Sequence, residues 1–282
     1  MTDGKASSTA RLIAYATIVH KEQAPEDAAR WCAKMLAHSR SRRALLALLG
    51  TSPARVIGRG FERLLLRGIV DHWMRRKREI DALARRAAAD GFDQLLVLGG
   101  GLDTLAWRMA EAGSFARVVS ADHHSTLDAV QRVVAPPVRM TLAPLDLRDG
   151  MARDVIDVLD PAADVLVVIE GVLMYLPPRS VEHVLRDVAG LPSPRVRLVA
   201  SWMVQHPDAD VGFGGQNSLV GRWLERCGEQ MEWAATPEGL DRLLGACGFT
   251  SVRQIRLDSP QGRNTSDDGV GLSDERLVVA ER

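Results

Sequence analysis

The residues with the clearest chemical signature are glycines that lie between an apolar run and a polar one. The segment LLVLGGGLDT at 95–104 passes from aliphatic residues through three glycines, beginning at Gly99, to Asp103 and Thr104. Glycines let the backbone approach a ligand closely, and the amides that begin the next helix favour polar or negatively charged groups. The pattern predicts a strand-to-helix turn that binds a nucleotide-like ligand. The alternative is a tight turn in which Asp103 or Thr104 only caps the helix.

Three carboxylates follow predicted strands and could contact such a ligand. Asp122 lies 21 residues after Gly101, close to the ~20-residue interval at which a carboxylate meets ribose hydroxyls in doubly wound folds. Asp146 follows the third strand, where an adenine ring would lie, and the Leu147 amide can donate to a ring nitrogen. Glu170 ends the most apolar strand and predicts a cleft with a cationic partner. The alternatives are a helix cap, an Asx turn and a structural ion pair with an arginine, respectively.

The spacing of the glycines argues against a dinucleotide dehydrogenase. In GxGxxG the third small residue lets the helix pack closely on the strand, whereas Thr104 stands there, after the bulky Leu102 and Asp103. Nicotinamide binding would also leave Asp146 and Glu170 together without an explanation.

The segment before the glycines is predicted to be helical. Up to about residue 90, apolar residues recur three and four apart and β-branched runs are missing, which predicts an N-terminal helical cap over 1–90. Pro25, followed by Glu26 and Asp27, marks the start of a helix. Pro53 and the segment 58–60 mark breaks before a long basic helix.

After residue 91 the chain alternates between strands and helices. The continuously apolar, β-branched run at 165–169 is typical of a central strand covered on both faces. The alternation predicts an α/β fold with a doubly wound, mostly parallel, seven-stranded Rossmann-like sheet, in which an antiparallel hairpin comes last. The predicted strands span 94–98, 117–121, 138–142, 164–169, 195–201, 252–257 and 276–280.

The core domain is predicted over 91–282, and one segment interrupts its alternation of strands and helices. The stretch at about 202–235 is longer than an ordinary connection, which predicts a substrate-cap insertion. Trp202, Trp223 and Trp233 either line an acceptor pocket there or belong to the core. Beyond it, Thr236 with Pro237 predicts the start of a helix, and Gly248 its end.

The composition indicates a folded chain with a small partner. The 282 residues are 46% hydrophobic and 26% charged, which is usual for a globular protein and excludes disordered or collagen-like chains. The 36 basic and 36 acidic residues give a formal net charge of +0, so no global charge attracts nucleic acid or anionic membranes. We expect a small-molecule or peptide partner, and neither nucleic acid nor a membrane.

Cysteine usage and hydropathy predict a cytoplasmic location. Cys32, Cys227 and Cys247 are odd in number, far apart and in no CxxC pair, which argues for reduced thiols and against a disulfide framework or a zinc site. We therefore expect no metal. No apolar stretch reaches the roughly 20 residues that a bilayer span needs, and 1–11 lacks the apolar region of a secretory signal.

Two segments resemble the class I S-adenosylmethionine (SAM) methyltransferases and, within them, the leucine carboxyl methyltransferase-like family. VLGGGLDTLAWRM at 97–109 is similar to that family's VLGAGLDTRAWRL, and IEGVLMYLPP at 169–178 is similar to its EGVLMYLP. The resemblance runs from about residue 66 to residue 249. Ser120 and His124 depart from the family pattern, which usually has Glu and Pro at these positions.

The resemblance implies a SAM site in which the glycine loop takes the methionine backbone and the strand-end carboxylates take the ribose, the adenine and the methionine ammonium. In the family an Arg-Thr-Arg-x-x-Asp segment binds the methionine carboxylate. The segment RKREID at 76–81 fits this pattern with Arg76 in the role, although Lys77 stands in place of Thr. Arg75 or Lys77 could take this role instead, and a solvated helix face is the further alternative. The implied cofactor-binding residues are Arg76, Gly99, Gly101, Asp103, Asp122, Asp146, Leu147 and Glu170.

Methyl transfer from a sulfonium is an in-line displacement, so the protein mainly aligns donor and acceptor. A carboxylate acceptor is ionised near pH 7 and needs no base. The resemblance therefore implies O-methylation of a carboxylate on a small metabolite or peptide, with Tyr175 as the candidate for a catalytic contact or as a loop-packing aromatic. The alternatives are a hydroxyl or phenol acceptor, with His123, His124 or His206 as the base, and a SAM-binding protein without turnover.

Overall fold

The centre of the computed structural model is a seven-stranded sheet. The residues that the structure describes are 8–37, 46, 69–151, 153–205, 231–257 and 275–282. The strands are β1 (Gln94–Leu98), β2 (Arg117–Asp122), β3 (Met140–Pro144), β4 (Val165–Ile169), β5 (Val196–Met203), β6 (Ser251–Arg256) and β7 (Glu275–Glu281). The described helices are α1 (Ser8–Val19), α2 (Ala28–Leu36), α3 (Ile69–Ala89), α4 (Leu105–Glu111), α5 (His124–Gln131), α6 (Arg153–Asp157), α7 (Pro178–Ala189) and α8 (Pro237–Cys247).

The order of the strands across the sheet is β3-β2-β1-β4-β5-β7-β6. The first five strands of this order are parallel to one another, and β7 lies antiparallel between β5 and β6. The predicted doubly wound, mostly parallel sheet with an antiparallel final hairpin is therefore confirmed. The sequence did not predict that β7 inserts beside β5, so that β6 becomes the edge strand.

Side chains of the strands alternate between the two faces of the sheet, and helices cover both. Leu96 and Leu98 of β1 pack into the core beneath α6, α7 and α8. Leu95 and Val97 pack into the opposite core, beneath α1 to α5. All five residues of β4 are buried, as predicted for a central strand of a sheet covered on both faces.

Most element boundaries follow the predicted signals. Thr236 caps α8 by accepting from the Gly239 amide at 3.0 Å, and Gly248 ends it in the left-handed conformation with φ 109°. α2 begins after Asp27, as predicted, but Asp27 makes no side-chain cap; instead its carboxylate accepts from Arg30 at 3.1 Å.

The third strand was predicted two residues too early. Val138 lies fully exposed in a turn closed by a 2.9 Å bond from the Met140 amide to the Pro137 carbonyl. Pro136 and Pro137 have no amide hydrogen to donate to a neighbouring strand, and β3 begins only at Met140. The apolar character of Val138 alone therefore misled the prediction.

Several predicted features lie outside the described residues. These are the breaks at Pro53 and 58–60, most of the insertion at about 202–235, and His206, Trp223 and Cys227. The described parts of the insertion, 202–205 and 231–235, meet in a parallel bridge between Val204 and Ala235. Trp202 and Trp233 are buried in the core beneath α6, α7 and α8, so the structure places both in the core.

Two glycine substitutions should have opposite effects on the free energy of unfolding. Gly99 has φ +70°, and a Cβ there would lie 2.4 Å from Cγ2 of Val172, so Gly99→Ala should destabilise the fold by about 1–3 kcal/mol. Gly245 lies within α8, and its Cβ would meet nothing within 4 Å, so Gly245→Ala should stabilise by about 0.5–1 kcal/mol. Denaturant unfolding measures both changes, and destabilisation by both substitutions would contradict the assignment.

Candidate functional site

The predicted site residues meet at one edge of the sheet. β3, β2, β1 and β4 are adjacent and parallel, so the residues that follow them lie side by side. This edge brings together Asp146 after β3, Asp122 at the end of β2, the glycines after β1 and Glu170 after β4. These residues, which are far apart in the sequence, are therefore neighbours along this edge of the sheet.

Asp122 is joined directly to the glycine loop. Its Oδ2 accepts from the Gly101 amide at 2.6 Å, and its Oδ1 accepts from the His123 amide at 2.6 Å. Burial raises the pKa of the carboxyl, and these two backbone hydrogen bonds oppose that rise only in part. Each carboxylate oxygen has a second lone pair, so Asp122 can still accept hydrogen bonds from a ligand.

Asp146 is exposed at the neighbouring strand end and begins a short 3-10 helix. Its Oδ1 accepts from the Arg148 amide at 3.0 Å, which is the turn that the sequence offered as the alternative. Leu147, by contrast, is buried. Capping occupies one lone pair of Oδ1, so the turn orients the Asp146 carboxylate and leaves acceptor capacity at the surface.

The loop after β4 packs directly on the glycine loop. The Val172 side chain fills the space where a Cβ of Gly99 would lie, and Gly171 has φ +64°. A Cβ on Gly171 would approach Nη2 of Arg76 to 3.4 Å. The two segments that carry the family resemblance are thus in contact, with Arg76 beside the second.

Arg76 lies in a buried ion-pair network. Its Nε donates to Oε1 of Glu170 at 3.0 Å, and its Nη1 donates to both oxygens of Glu275 at 2.7 and 2.8 Å. Burial alone would lower the pKa of the guanidinium, but the two carboxylates outweigh it and raise the pKa. The alternative of a solvated helix face is therefore wrong for Arg76, and Glu170 forms the ion pair with an arginine that the sequence offered as its alternative role.

Lys77 is the second buried cation of this network. Its Nζ pairs with Oδ2 of Asp103 and, at 3.1 Å, with Oε1 of Glu170. Burial would lower the pKa of the amine, but the two carboxylates raise it to about 12. Asp103 also accepts from the amide of Leu105, the first residue of α4, at 2.7 Å, whereas Thr104 at the N-cap position makes no side-chain cap.

Burial and charge act against each other on Asp103. Burial raises the pKa of its carboxyl, but the charge of Lys77 and the hydrogen bonds from Lys77 and Leu105 lower it below the usual range. Asp103 is therefore ionised, and the solvated-face alternative is wrong for Lys77 as well as for Arg76.

Sequence reasoning missed Glu275, which is fully buried at the start of β7. Because β7 runs antiparallel, its first residue pairs with Met203 at the end of β5, and so reaches the edge where the parallel strands end. Oε2 of Glu275 lies 2.7 Å from Nε2 of His72. The available signal was an acidic residue that begins the last predicted strand, together with the helical spacing of His72 and Arg76 on α3.

Tyr175 lies on the loop after β4. It ends a 3-10 helix that begins at Leu173, and it packs half-buried against a cluster that includes Trp73, Met174 and Met203. The Met174 carbonyl accepts from the Glu232 amide at 2.7 Å. The described end of the predicted insertion therefore holds this loop in place, and the catalytic role of Tyr175 stays a prediction.

The remaining candidates are two histidines after β2 and the described cysteines. His123 caps α5, and its Nδ1 lies 2.9 Å from Oγ of Ser125; the His124 ring centroid lies 4.2 Å from that of His123. Cys32 and Cys247 are buried free thiols, and burial raises the pKa of Cys32 to about 12. Among the described residues, no group of three or more His, Cys, Asp or Glu side chains could hold a metal ion.

Comparison with known proteins identifies a family. The family model described as leucine carboxyl methyltransferase matches residues 14–189. A relative in Mycolicibacterium smegmatis, named as an S-adenosyl-L-methionine-dependent methyltransferase, is 30% identical over 166 residues, which are 56% of this chain and 54% of that protein. A relative of the same name in Saccharopolyspora erythraea is 35% identical over 130 residues, which are 44% of this chain and 45% of that protein. The chain thus spans about half the length of the curated relatives that it matches.

Solved structures show the same fold. A crystal structure titled as a methyltransferase from Thermobifida fusca matches with a TM-score of 0.56 and 18% identity, over 92% of this chain and 96% of that one. An O-methyltransferase family protein from Burkholderia thailandensis matches with a TM-score of 0.51 and 17% identity, over 73% of this chain and 55% of that one.

Of the helices that the structure describes, none combines the length and apolarity that a membrane crossing requires.

The buried Glu275 should make the free energy of unfolding depend on pH in the acidic range. Its pKa is about 2 against an ordinary value of 4.5, because Arg76 and His72 outweigh the effect of burial. Glu275→Gln should lower the free energy of unfolding by about 3–5 kcal/mol at neutral pH, since Arg76 then loses a carboxylate in the interior.

A carboxyl whose folded pKa is depressed stabilises the protein above its unfolded pKa and loses that effect as the pH falls toward the folded value. The stability gap between wild type and Glu275→Gln should therefore be full above about pH 5 and shrink between about pH 4.5 and about pH 2. Denaturant unfolding of both proteins across this range measures the gap. A gap that is constant or widens on acidification would contradict the assignment.

Proposed function

Since this chain belongs to the leucine carboxyl methyltransferase family, we propose that it is a SAM-dependent methyltransferase that acts on a carboxylate of a small metabolite or peptide. The observation that carries the proposal is the row of Asp122, Asp146 and Glu170 at the ends of neighbouring parallel strands, beside the glycine loop. The curated relatives named as SAM-dependent methyltransferases support the cofactor.

The donor and acceptor groups at this edge fit SAM. An ionised carboxylate accepts hydrogen bonds and donates none. Such an acceptor suits the hydroxyls of a ribose at Asp122 and an exocyclic amine at Asp146. The contacts of Glu170 with Arg76 and Lys77 all go to Oε1, and Oε2 takes none of these. That second oxygen is suited to the methionine ammonium.

Lys77 is better placed than Arg76 for the methionine carboxylate. An ammonium has three N–H groups, and Asp103 and Glu170 take two of them. Arg76 has both of its Nη1 contacts on Glu275 and its Nε on Glu170. We therefore propose that Arg76 orients Glu170, and that Lys77 offers its remaining N–H to the ligand.

Bound SAM supplies a methyl group that its sulfonium already activates for displacement. The chain then has to orient the two reactants and exclude competing groups. The ion pairs of Arg76, Lys77, Asp103 and Glu170 hold these side chains in one arrangement beside the glycine loop. Tyr175 and the cluster around Met174 lie on the side where an acceptor would enter.

A carboxylate acceptor is the reaction that this arrangement supports best. It is ionised near pH 7 and needs no base, and the buried ionisable groups Arg76, Lys77, Asp103 and Glu170 are engaged with one another. The described histidines proposed as bases for a hydroxyl or phenol, His123 and His124, follow β2, whereas Tyr175 follows β4. β1 separates these two strands, so the histidines lie across the glycine loop from Tyr175.

The class of ligand is the first test. Isothermal titration calorimetry with SAM, S-adenosylhomocysteine, NAD and ATP should show binding of the two sulfur nucleosides alone. Tight binding of NAD would indicate a dehydrogenase and overturn the proposal. Binding of SAM without methylated product from any acceptor would favour the alternative of a SAM-binding protein without turnover.

The class of acceptor is tested by the chemistry of the product. With methyl-labelled SAM and a panel of carboxylic acids and phenols, we expect the label in products that release methanol on mild alkaline treatment, because esters hydrolyse there and aryl ethers do not. Label that stays bound after alkali would identify a hydroxyl or phenol acceptor instead.

Substitution tests where the nucleoside binds. Asp122→Ala and Asp146→Ala should each weaken SAM binding by about 1–3 kcal/mol through the loss of a hydrogen bond to a charged acceptor. Asp157→Ala, an exposed aspartate at the end of α6, is the matched control and should leave the affinity unchanged. Wild-type affinity in both site variants, measured by calorimetry on protein with a wild-type melting temperature, would overturn the placement.

A further inference from the structure

Glu275 faces the interior of the site and cannot itself receive a ligand. Its side chain is 0% exposed, and both oxygens accept from Arg76. Oε2 also contacts His72, and Ser201 provides a further side-chain hydrogen bond. Any influence of Glu275 on a ligand must therefore pass through its charge and through the residues that it holds.

Ser201 and Arg76 connect Glu275 to the ligand-facing loop. The Ser201 hydroxyl accepts from the Gly171 amide at 2.8 Å and bonds to the Glu275 carboxylate. Arg76 bridges Glu275 to Glu170. In each path, a single residue lies between Glu275 and the segment after β4. That segment packs on Gly99.

The network joins three carboxylates to two permanent cations. Asp103, Glu170 and Glu275 face Arg76 and Lys77 in direct ion pairs, and His72 lies beside Glu275. Replacement of Glu275 by a neutral residue removes one of the three carboxylate charges. These side chains are buried, where solvent and salt screen their charges weakly.

We propose that Glu275 is a specificity-determining residue that makes the site prefer the positively charged methyl donor over its neutral product. This inference rests on the proposed function, because it concerns SAM and S-adenosylhomocysteine. The two ligands share the nucleoside, the ammonium and the carboxylate, and they differ in the sulfonium charge and its methyl group. The negative charge of Glu275 stabilises the sulfonium and leaves the thioether almost unaffected, so it favours product release.

The test is the ratio of the two dissociation constants, Kd of S-adenosylhomocysteine over Kd of SAM, measured by calorimetry. Glu275→Gln should lower this ratio by about three- to tenfold, the size expected for one unit charge acting over roughly 10 Å through a partly screened interior. Loss of packing or of Arg76 orientation would weaken both ligands together and leave the ratio unchanged. The ratio thus separates an electrostatic role from a structural one.

Three further variants bracket the effect. Glu275→Asp keeps the charge and should keep a ratio near that of wild type. Lys77→Gln removes a cation from the same network and should raise the ratio, so the proposal stays testable if Glu275→Gln fails to fold. Glu281→Gln makes the same charge change at the other end of β7, where Glu281 pairs with Arg197, and should leave the ratio unchanged.

The outcomes are distinct. A ratio that falls in Glu275→Gln, rises in Lys77→Gln and holds in Glu281→Gln supports the proposal. An unchanged ratio in both network variants, with both ligands still bound, overturns it and leaves the proposed function intact. If wild-type protein binds neither ligand, the proposed function itself fails.

Discussion

The burial of Arg76 is the constraint on which the site depends. A guanidinium in the interior loses its hydration and is stable only when carboxylates surround it. Here those carboxylates come from Glu170, after the central strand, and from Glu275, which is 199 residues away in sequence. Arg76 on α3 therefore links the loop after β4 to β7 in the antiparallel part of the sheet. The pairing of β7 with β5 places Glu275 where it can neutralise Arg76.

The site has two parts with different physical characters. On the β2 and β3 side, carboxylates of half-buried and exposed aspartates are held by backbone amides, and they keep free acceptor capacity. On the β4 side, the charges of Arg76, Lys77, Asp103 and Glu170 are largely satisfied by one another. A ligand with a neutral sugar and base at one end and several charges at the other is complementary to this division, which is why the arrangement suits SAM.

Local patterns in the sequence predicted the fold well. Apolar runs located the strands, and glycines and prolines located most turns, because backbone geometry and alternate burial are properties of neighbouring residues. The positions of Asp122, Asp146 and Glu170 at the ends of strands could be predicted because each ends or follows a recognisable apolar run. The partner of Arg76 could not, since nothing local to Glu275 indicates that β7 inserts beside β5. The basic character of α3 likewise suggested exposure, because it is the distant carboxylates that allow Arg76 and Lys77 to be buried.

The position of Glu275 also sets the order in which a nascent chain can complete its site. A chain that has emerged from the ribosome as far as β6 contains the glycine loop and all three strand-end carboxylates. It still lacks Glu275, the second counter-ion of Arg76 beside Glu170, and the strand that joins β5 to β6. Until β7 emerges, Arg76 has one of its two carboxylate partners, which makes its full burial less favourable. The ion-pair network behind the site is therefore completed only when β7 takes its place between β5 and β6.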